Sequence, residues 1–307
     1  MKVLVATEKP FAKTAVDGIR KIVEGAGYEL VLLEKYTENA QLLAAVADVD
    51  AIIVRSDKVT PEVVAAAKNL KIVVRAGAGY DNVDLPSCTE RGIVVMNTPG
   101  QNSNAVAELQ LGMMIFMARN QFNPGTGTEL KGKRLGIHAY GNIGRIVGQM
   151  GKALGMTVSV YRPTSTDTSY AQKDGVIAVS SAEELYKNSD YVSLNMPAND
   201  KTKKSIGYDL LTLLPKGATI INTARKEVID EEGLVKAFTE REDLKYATDI
   251  AAANQEELNE KFGRRVFATP KKMGAETAEA NINAGLAAAS QIVGFLKDGD
   301  RTFQVNK

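Results

Sequence analysis

Short apolar runs alternate with amphipathic stretches along nearly the whole 307-residue chain. In the first third, KVLVAT, ELVLLE, AIIVRS, KIVVRA and IVVMN are continuous enough to be strands covered on both faces. Between them, an amphipathic segment from about 11 to 25, QLLAAVA and PEVVAAAKNL carry helical spacing. Alternation of this kind predicts a parallel sheet flanked by helices on both sides.

The second part repeats the scheme. Ala105 to Arg119 is a long helix, apolar nearly all round, which predicts burial at a seam between domains, with NPGTGT (123–128) as a flexible link. Next, Gly132 to Pro163 reads as strand (Arg134 to His138), tight turn, helix (Ile146, Val147, Met150 and Leu154 at helical spacing) and second strand (Val158 to Tyr161). YVSLNMP, ATIINTAR, KYATDI and RVFATP follow, each after a helical stretch, and a long Ala-rich helix from Glu276 to Phe295 returns to the first domain. The expected architecture is α/β with two doubly wound parallel-sheet domains. A Rossmann dinucleotide-binding domain (99–275) is inserted into a flavodoxin-like one formed by 1–98 and 276–307.

Composition narrows the partners. Thirty-eight basic residues nearly cancel thirty-seven acidic ones, so a nucleic-acid or anionic-membrane surface is not expected. No apolar run is long enough to cross a bilayer, and Met1 leads straight into a strand rather than a signal peptide. Cys88 is the only cysteine and His138 the only histidine. No disulfide within the chain and no clustered metal site are expected, which fits a cytoplasmic setting.

Three stretches carry chemistry. Ala139, Tyr140, Gly141, Asn142, Ile143 and Gly144 form an A-x-G-x-x-G turn between strand and helix. There a residue without a Cβ lets a pyrophosphate approach backbone N–H groups at the positive end of the helix, and Gly144 lets helix and strand pack closely. In the first domain, Arg55-Ser56 and Arg75-Ala76-Gly77-Ala78-Gly79 follow strands, where ligands of such sheets gather. Small residues there leave N–H groups for an anion, and the arginines add charge.

With VRAGAGYDNVD, NTPGQNSNAVAE, LGIHAYGNIG, INTARKEVIDEEGL and TPKKMGAETAEA in this order, the chain resembles the D-isomer-specific 2-hydroxyacid dehydrogenase family, most nearly its short phosphoglycerate dehydrogenase branch. The resemblance implies an NAD-dependent oxidoreductase that interconverts a D-2-hydroxy acid and its 2-keto acid. The foremost expectation is 3-phosphoglycerate and 3-phosphohydroxypyruvate, in serine biosynthesis. A glyoxylate or hydroxypyruvate reductase is the alternative, and a non-catalytic dinucleotide-sensing protein the alternative from another class. A homodimer through the cofactor domain and a small anionic substrate are implied as well, and no C-terminal regulatory domain is expected after Lys307.

Carried over by motif, the resemblance makes Arg225 the holder of the substrate carboxylate. It places Asp249 by the nicotinamide amide, with Pro197, Thr202, Thr223, Ala224 and Gly274 on the cofactor. Arg55, Ser56, the loop from Arg75 to Gly79 and Asn102 fall to the substrate. The sequence departs from the family at the acid–base pair. Where a histidine and a glutamate are usual, Thr269-Pro270-Lys271-Lys272-Met273-Gly274 and Asn254 stand, so the resemblance puts Lys271 or Lys272 in the proton carrier's place. An ammonium can stabilise and protonate the forming alkoxide in reduction. Oxidation needs the neutral amine, which burial, the adjacent lysine and Arg225 would favour, so oxidation should rise with pH into the alkaline range. At the ribose, Arg162 with Thr164, Ser165 and Thr166 replaces the acidic residue of NAD sites, which keeps NADP open beside an expectation of NAD.

Overall fold

The computed structural model describes residues 1–306 except 165 and 166, so Ser165 and Thr166, offered above for the ribose, lie outside the described residues. Two compact units emerge, Met1–Asn102 with Glu276–Lys307, and Ser103–Ala275.

In the first unit, β1 (Lys2–Thr7), β2 (Glu29–Glu34), β3 (Ala51–Val54), β4 (Ile72–Arg75) and β5 (Val94–Asn97) form one parallel sheet in the order β2-β1-β3-β4-β5. Helices α1 (Lys13–Gly25), α2 (Asn39–Ala45), α3 (Pro61–Ala66) and α4 (Leu85–Glu90) connect them. Alternate residues of one strand feed two cores: Leu4, Ile52, Val73 and Val95 lie in one, Val3, Val5, Ile53 and Val74 in the other. That double burial is why these strands read as unbroken apolar runs.

The second unit holds β6 (Arg134–His138), β7 (Thr157–Tyr161), β8 (Ile177–Ala178), β9 (Tyr191–Leu194), β10 (Thr219–Asn222), β11 (Lys245–Thr248) and β12 (Val266–Ala268). They make a parallel seven-stranded sheet in the order β12-β11-β10-β9-β6-β7-β8. Its helices are α5 (Ser103–Ala118), α6 (Asn142–Ala153), α7 (Ser169–Asp174), α8 (Ala182–Lys187), α9 (Tyr208–Thr212), α10 (Glu231–Glu240) and α11 (Gln255–Phe262). Strand order reverses between β6 and β9, where sheets of this type leave a crevice for a ligand.

The last helix, α12 (Ala278–Asp298), belongs to the first unit and packs on α1. Small residues permit the approach. A Cβ at Gly18 would fall 2.4 Å from Leu286 Cδ2, and one at Gly285 3.1 Å from Ile19 Cδ1. The tail then covers the edge of β5, as Val305 N–H donates to Val95 O and Asn306 Oδ1 accepts from Val95 N–H. A covered edge strand is protected from pairing with another chain.

Two expectations about the inserted stretch change. Helix α5 packs against α6, β10 and β11 within the second unit, but only one side of it is buried, and Ile115 is 39% exposed. Residues 123–128 are not a link between units. They lie inside the second, with Thr128 N–H donating to Ala118 O (2.8 Å) and Asn120 Nδ2 to Thr126 O (3.0 Å). Asn120, Gln121 and Phe122 all take left-handed φ values, which turn the chain back sharply enough for these bonds to form. Composition at Pro-Gly-rich positions marks a turn without saying whether side-chain amides will tie it down.

Candidate active site

The turn after β6 is built as its residues demand. Gly141 caps α6 at φ −96°, and a Cβ there would meet nothing within 4 Å, so the space over the helix N-terminus is open. A Cβ at Gly144 would lie 2.6 Å from Ala139 O and 3.0 Å from Ile137 Cγ2, so close helix–strand packing does require glycine. Ala139, at the first glycine position, holds φ +74°, a left-handed conformation disfavoured for a residue with a Cβ. Asn142 is exposed and Ile143 half-buried at the start of α6.

Past β7 and at the start of α6, rings and guanidinium groups come together. Arg162, just past β7, lies 5.7 Å over the Tyr170 ring, and Tyr170 meets Tyr140 at 5.2 Å. Arg145 Nε pairs with Asp174 at 2.9 Å, and Asp174 also accepts from the Tyr140 hydroxyl. Of the four residues expected at the ribose, Arg162 and Thr164 lie among the described residues. His138 ends β6 inside the core, edge-on to Tyr186 and near Tyr161. Burial pushes its imidazole down to about 4, so it is a packing residue.

Arg225 follows β10, and Asp249, Gly274 and the lysine pair follow β11 and β12. Asn222, wholly buried at the end of β10, accepts the Ala224 N–H on Oδ1 (3.0 Å) and donates from Nδ2 to Arg225 O (3.1 Å), which presents the half-buried Arg225 from a fixed turn. Asp249 follows β11 with no exposed surface. Its Oδ2 accepts the N–H of Gly274 (2.7 Å) and Met273 (3.3 Å), while Oδ1 is buried with no partner. Burial raises its carboxyl above the usual range, opposed by the two N–H groups and by the charge of Lys272. Gly274 has to be glycine, since a Cβ there would lie 2.9 Å from Asp249 Oδ2. Lys271 and Lys272 are both exposed, so the burial expected to favour a neutral amine does not exist in this unit. Only Lys272 acts on Asp249; the Lys271 carbonyl accepts from Thr269 Oγ1. Pro197 and Thr202 share a turn after β9 through Thr202 Oγ1 to Pro197 O (2.5 Å).

The first unit's loops are more self-engaged than their sequence suggested. The Arg55 guanidinium donates to the Lys9 and Pro10 carbonyls and to Asn281 Oδ1, and lies over the Phe11 ring. Arg75 Nε donates to Arg55 O, and its guanidinium lies directly over Gly77, whose φ is +152°. The N–H groups of Ala76 and Gly77 are spent on Val54 and Arg75 carbonyls, so an anion contact from this loop falls to Ala78 and Gly79. Ser56 is exposed, and Asn102 ends the turn before α5.

Sequence reasoning missed Asp57. This buried carboxylate accepts the N–H of Glu8 (2.7 Å) and Arg55 (3.3 Å) and the Tyr36 hydroxyl (2.9 Å), tying together the chain beyond β1, β2 and β3. Its only signal was an acid three residues past a strand, which also describes many surface turns.

A dinucleotide fits the second unit on two observations: open space over Gly141, and the orphaned buried oxygen of Asp249, which lacks a donor such as a carboxamide supplies. Fold and site therefore define a dinucleotide-dependent α/β oxidoreductase. Residues 106–271 match the model of the D-isomer specific 2-hydroxyacid dehydrogenase NAD binding domain. A hydroxypyruvate reductase of Thermotoga maritima is 34% identical, over 86% of this chain and 90% of the relative. The D-3-phosphoglycerate dehydrogenase of Methanocaldococcus jannaschii is 36% identical over 90% of this chain, but the match spans 55% of that relative, so the chain corresponds to about half its length. The crystal structure of an NAD+-bound 3-phosphoglycerate dehydrogenase of Entamoeba histolytica is 50% identical, covers 100% of this chain and 99% of its own, and superposes with a TM-score of 0.89. The chain belongs to the D-isomer specific 2-hydroxyacid dehydrogenase family, whose members are NAD-dependent enzymes. Among the described residues no helix is long and apolar enough to cross a membrane.

Proposed function

We propose that this enzyme interconverts D-3-phosphoglycerate and 3-phosphohydroxypyruvate with NAD, as a step of serine biosynthesis in the cytoplasm. The observation that carries the reading is the 50% identity to the Entamoeba 3-phosphoglycerate dehydrogenase over the full chain. Bound NAD supplies the acceptor or donor of the hydride. Asp249 Oδ1, buried and without a partner, would hold the nicotinamide amide, and Arg225 would grip the substrate carboxylate with its two-pronged guanidinium. Lys272 moves the proton of the C2 oxygen. Its proximity to Asp249, which Lys271 does not share, favours it of the two. Ala78 and Gly79 offer N–H groups to an anionic end of the substrate.

Hydroxypyruvate reduction is the second reading, supported by the Thermotoga relative. NADH oxidation followed with phosphohydroxypyruvate, hydroxypyruvate and glyoxylate separates them; a preference for an unphosphorylated acid refutes the first reading. Arg162 over Tyr170 also supports some use of NADP, and a strong preference for NADPH would refute NAD as the working cofactor. A homodimer through the cofactor unit is part of the proposal. It is supported by the apolar surface that α5 leaves open, with Phe122 71% exposed beside Phe116. Sedimentation as a monomer at micromolar concentration would refute it.

A further inference from the structure

Below the crevice of the second unit lies a polar cluster whose centre is Gln110, midway along α5 and without exposed surface. Its Nε2 donates to Asn195 Oδ1 (2.8 Å) and to Thr223 Oγ1 (2.7 Å), and its Oε1 accepts from Ser193 Oγ. Asn195 Nδ2 in turn donates to Ser193 Oγ at 2.8 Å. Ser193 lies in β9, Asn195 is the first residue past its end, and Thr223 is the first past the end of β10. One amide thus holds two neighbouring strands at the points where the chain leaves the sheet.

Packing alone does not call for an amide here. The buried neighbours of Gln110 on the same helix, Ala107, Met113, Met114 and Met117, cover the sheet with apolar surface. A buried amide is costly unless its groups are paired, and these are paired to Ser193 inside β9 and to two loop ends, Asn195 and Thr223. Those loop ends lead to the site: Pro197 stands two residues beyond Asn195, and Arg225 two beyond Thr223. Asn222 already fixes the backbone of Ala224 and Arg225. The side chain of Thr223 is the part of this turn that Gln110 holds.

We infer that Gln110 is a positioning residue: from inside α5 it clamps the exits of β9 and β10 and so sets where Arg225 meets the substrate carboxylate. The inference rests on the reading of Arg225 given above. Small displacements of a positioned group cost up to about a hundredfold in rate. An intermediate loss, on the order of tenfold, is expected here because Asn222 still holds the backbone.

The test uses Gln110→Met, which keeps length and helix propensity while deleting every hydrogen bond of the cluster to residue 110. NADH binding is titrated by its fluorescence. Binding of oxalate, an unreactive two-carbon analogue, is titrated on the NADH complex, and KM and kcat are measured with phosphohydroxypyruvate. The expected result is NADH affinity within about threefold of the parent, with oxalate affinity and kcat/KM down by on the order of tenfold. Oxalate and kcat/KM values within about twofold of the parent overturn the inference, as does an equal loss of NADH and oxalate affinity. Should Gln110→Met not fold, Gln110→Glu decides. A buried glutamic acid can donate to Asn195 or Thr223 only while protonated, so oxalate binding relative to the parent should fall as pH rises; a constant ratio overturns the proposal. If the parent turns over no 2-keto acid, the functional reading fails, while oxalate binding still reports on Gln110.

Discussion

Two glycines three residues apart in the β6–α6 turn should fail in different ways when each is replaced by alanine. At Gly141 the backbone sits at φ −96° and ψ −153°, a conformation open to any residue, and the added methyl would touch nothing within 4 Å. Stability should therefore hold or rise by up to about 1 kcal/mol, since alanine restricts the unfolded chain more than glycine. The open space is what a pyrophosphate would occupy. A methyl there pushes a phosphate off the N–H groups at the helix start; losing one such charge-assisted bond costs about 1.5–3 kcal/mol. That is roughly 10- to 150-fold in NADH affinity. At Gly144 the methyl meets the Ala139 carbonyl at 2.6 Å, and backbone cannot step aside. Overpacking of this kind costs about 1–3 kcal/mol, so both thermal stability and NADH affinity should drop. Differential scanning fluorimetry with and without NADH, joined to fluorescence titration, reads both quantities. A Gly141→Ala protein that binds NADH within about twofold of the parent would refute the placement of the pyrophosphate.

Other perturbations follow from the same geometry. Ala139→Gly removes a Cβ from a left-handed φ of +74° and should raise the apo melting temperature by a few degrees at most, on a strain of about 1–2 kcal/mol partly offset by glycine's entropy; a fall would show that the methyl's packing outweighs its strain. Asp249→Asn should lower NADH affinity by about tenfold or more through mispairing of the nicotinamide amide, while the apo fold survives because the Asn oxygen can still accept from Gly274; unchanged affinity would remove Asp249 from the cofactor site. His138 takes up a proton more readily unfolded than folded, since its folded value is pushed down to about 4; stability should decline as pH falls from about 6.5 toward 4, and chemical denaturation of His138→Phe should show a shallower decline in that window. Lys272→Ala should lower kcat for the hydroxy acid by on the order of a hundredfold, the usual yield of a positioned acid–base group, where Lys271→Ala leaves it within about twofold; equal kcat values for the two variants would refute Lys272 as the base.

Much of the architecture could be read along the chain because each strand of these sheets is covered on both faces, so Val3–Ala6 or Ile52–Val54 needed no partner to be visible. The dinucleotide turn was equally local: Gly141 and Gly144 are required by contacts within one strand–turn–helix unit. Short elements escaped, among them α4 and β8, because six residues or two do not establish a period.

What the residues determined by themselves was therefore everything set by neighbours in sequence: the alternation of strand and helix, the cofactor turn, the guanidinium after β10, and an amine where an imidazole is usual. Tertiary structure alone decided how the buried polar groups are spent. It gave Asp57 three loops to hold and Gln110 two strand ends. It engaged Arg55 with backbone carbonyls rather than leaving it spare, left the lysine pair in solvent, and tied the turn after α5 into the second unit. Hydrogen bonds across tens of residues of separation leave no periodic trace, since a buried polar side chain is written in the sequence with the same letter as an exposed one.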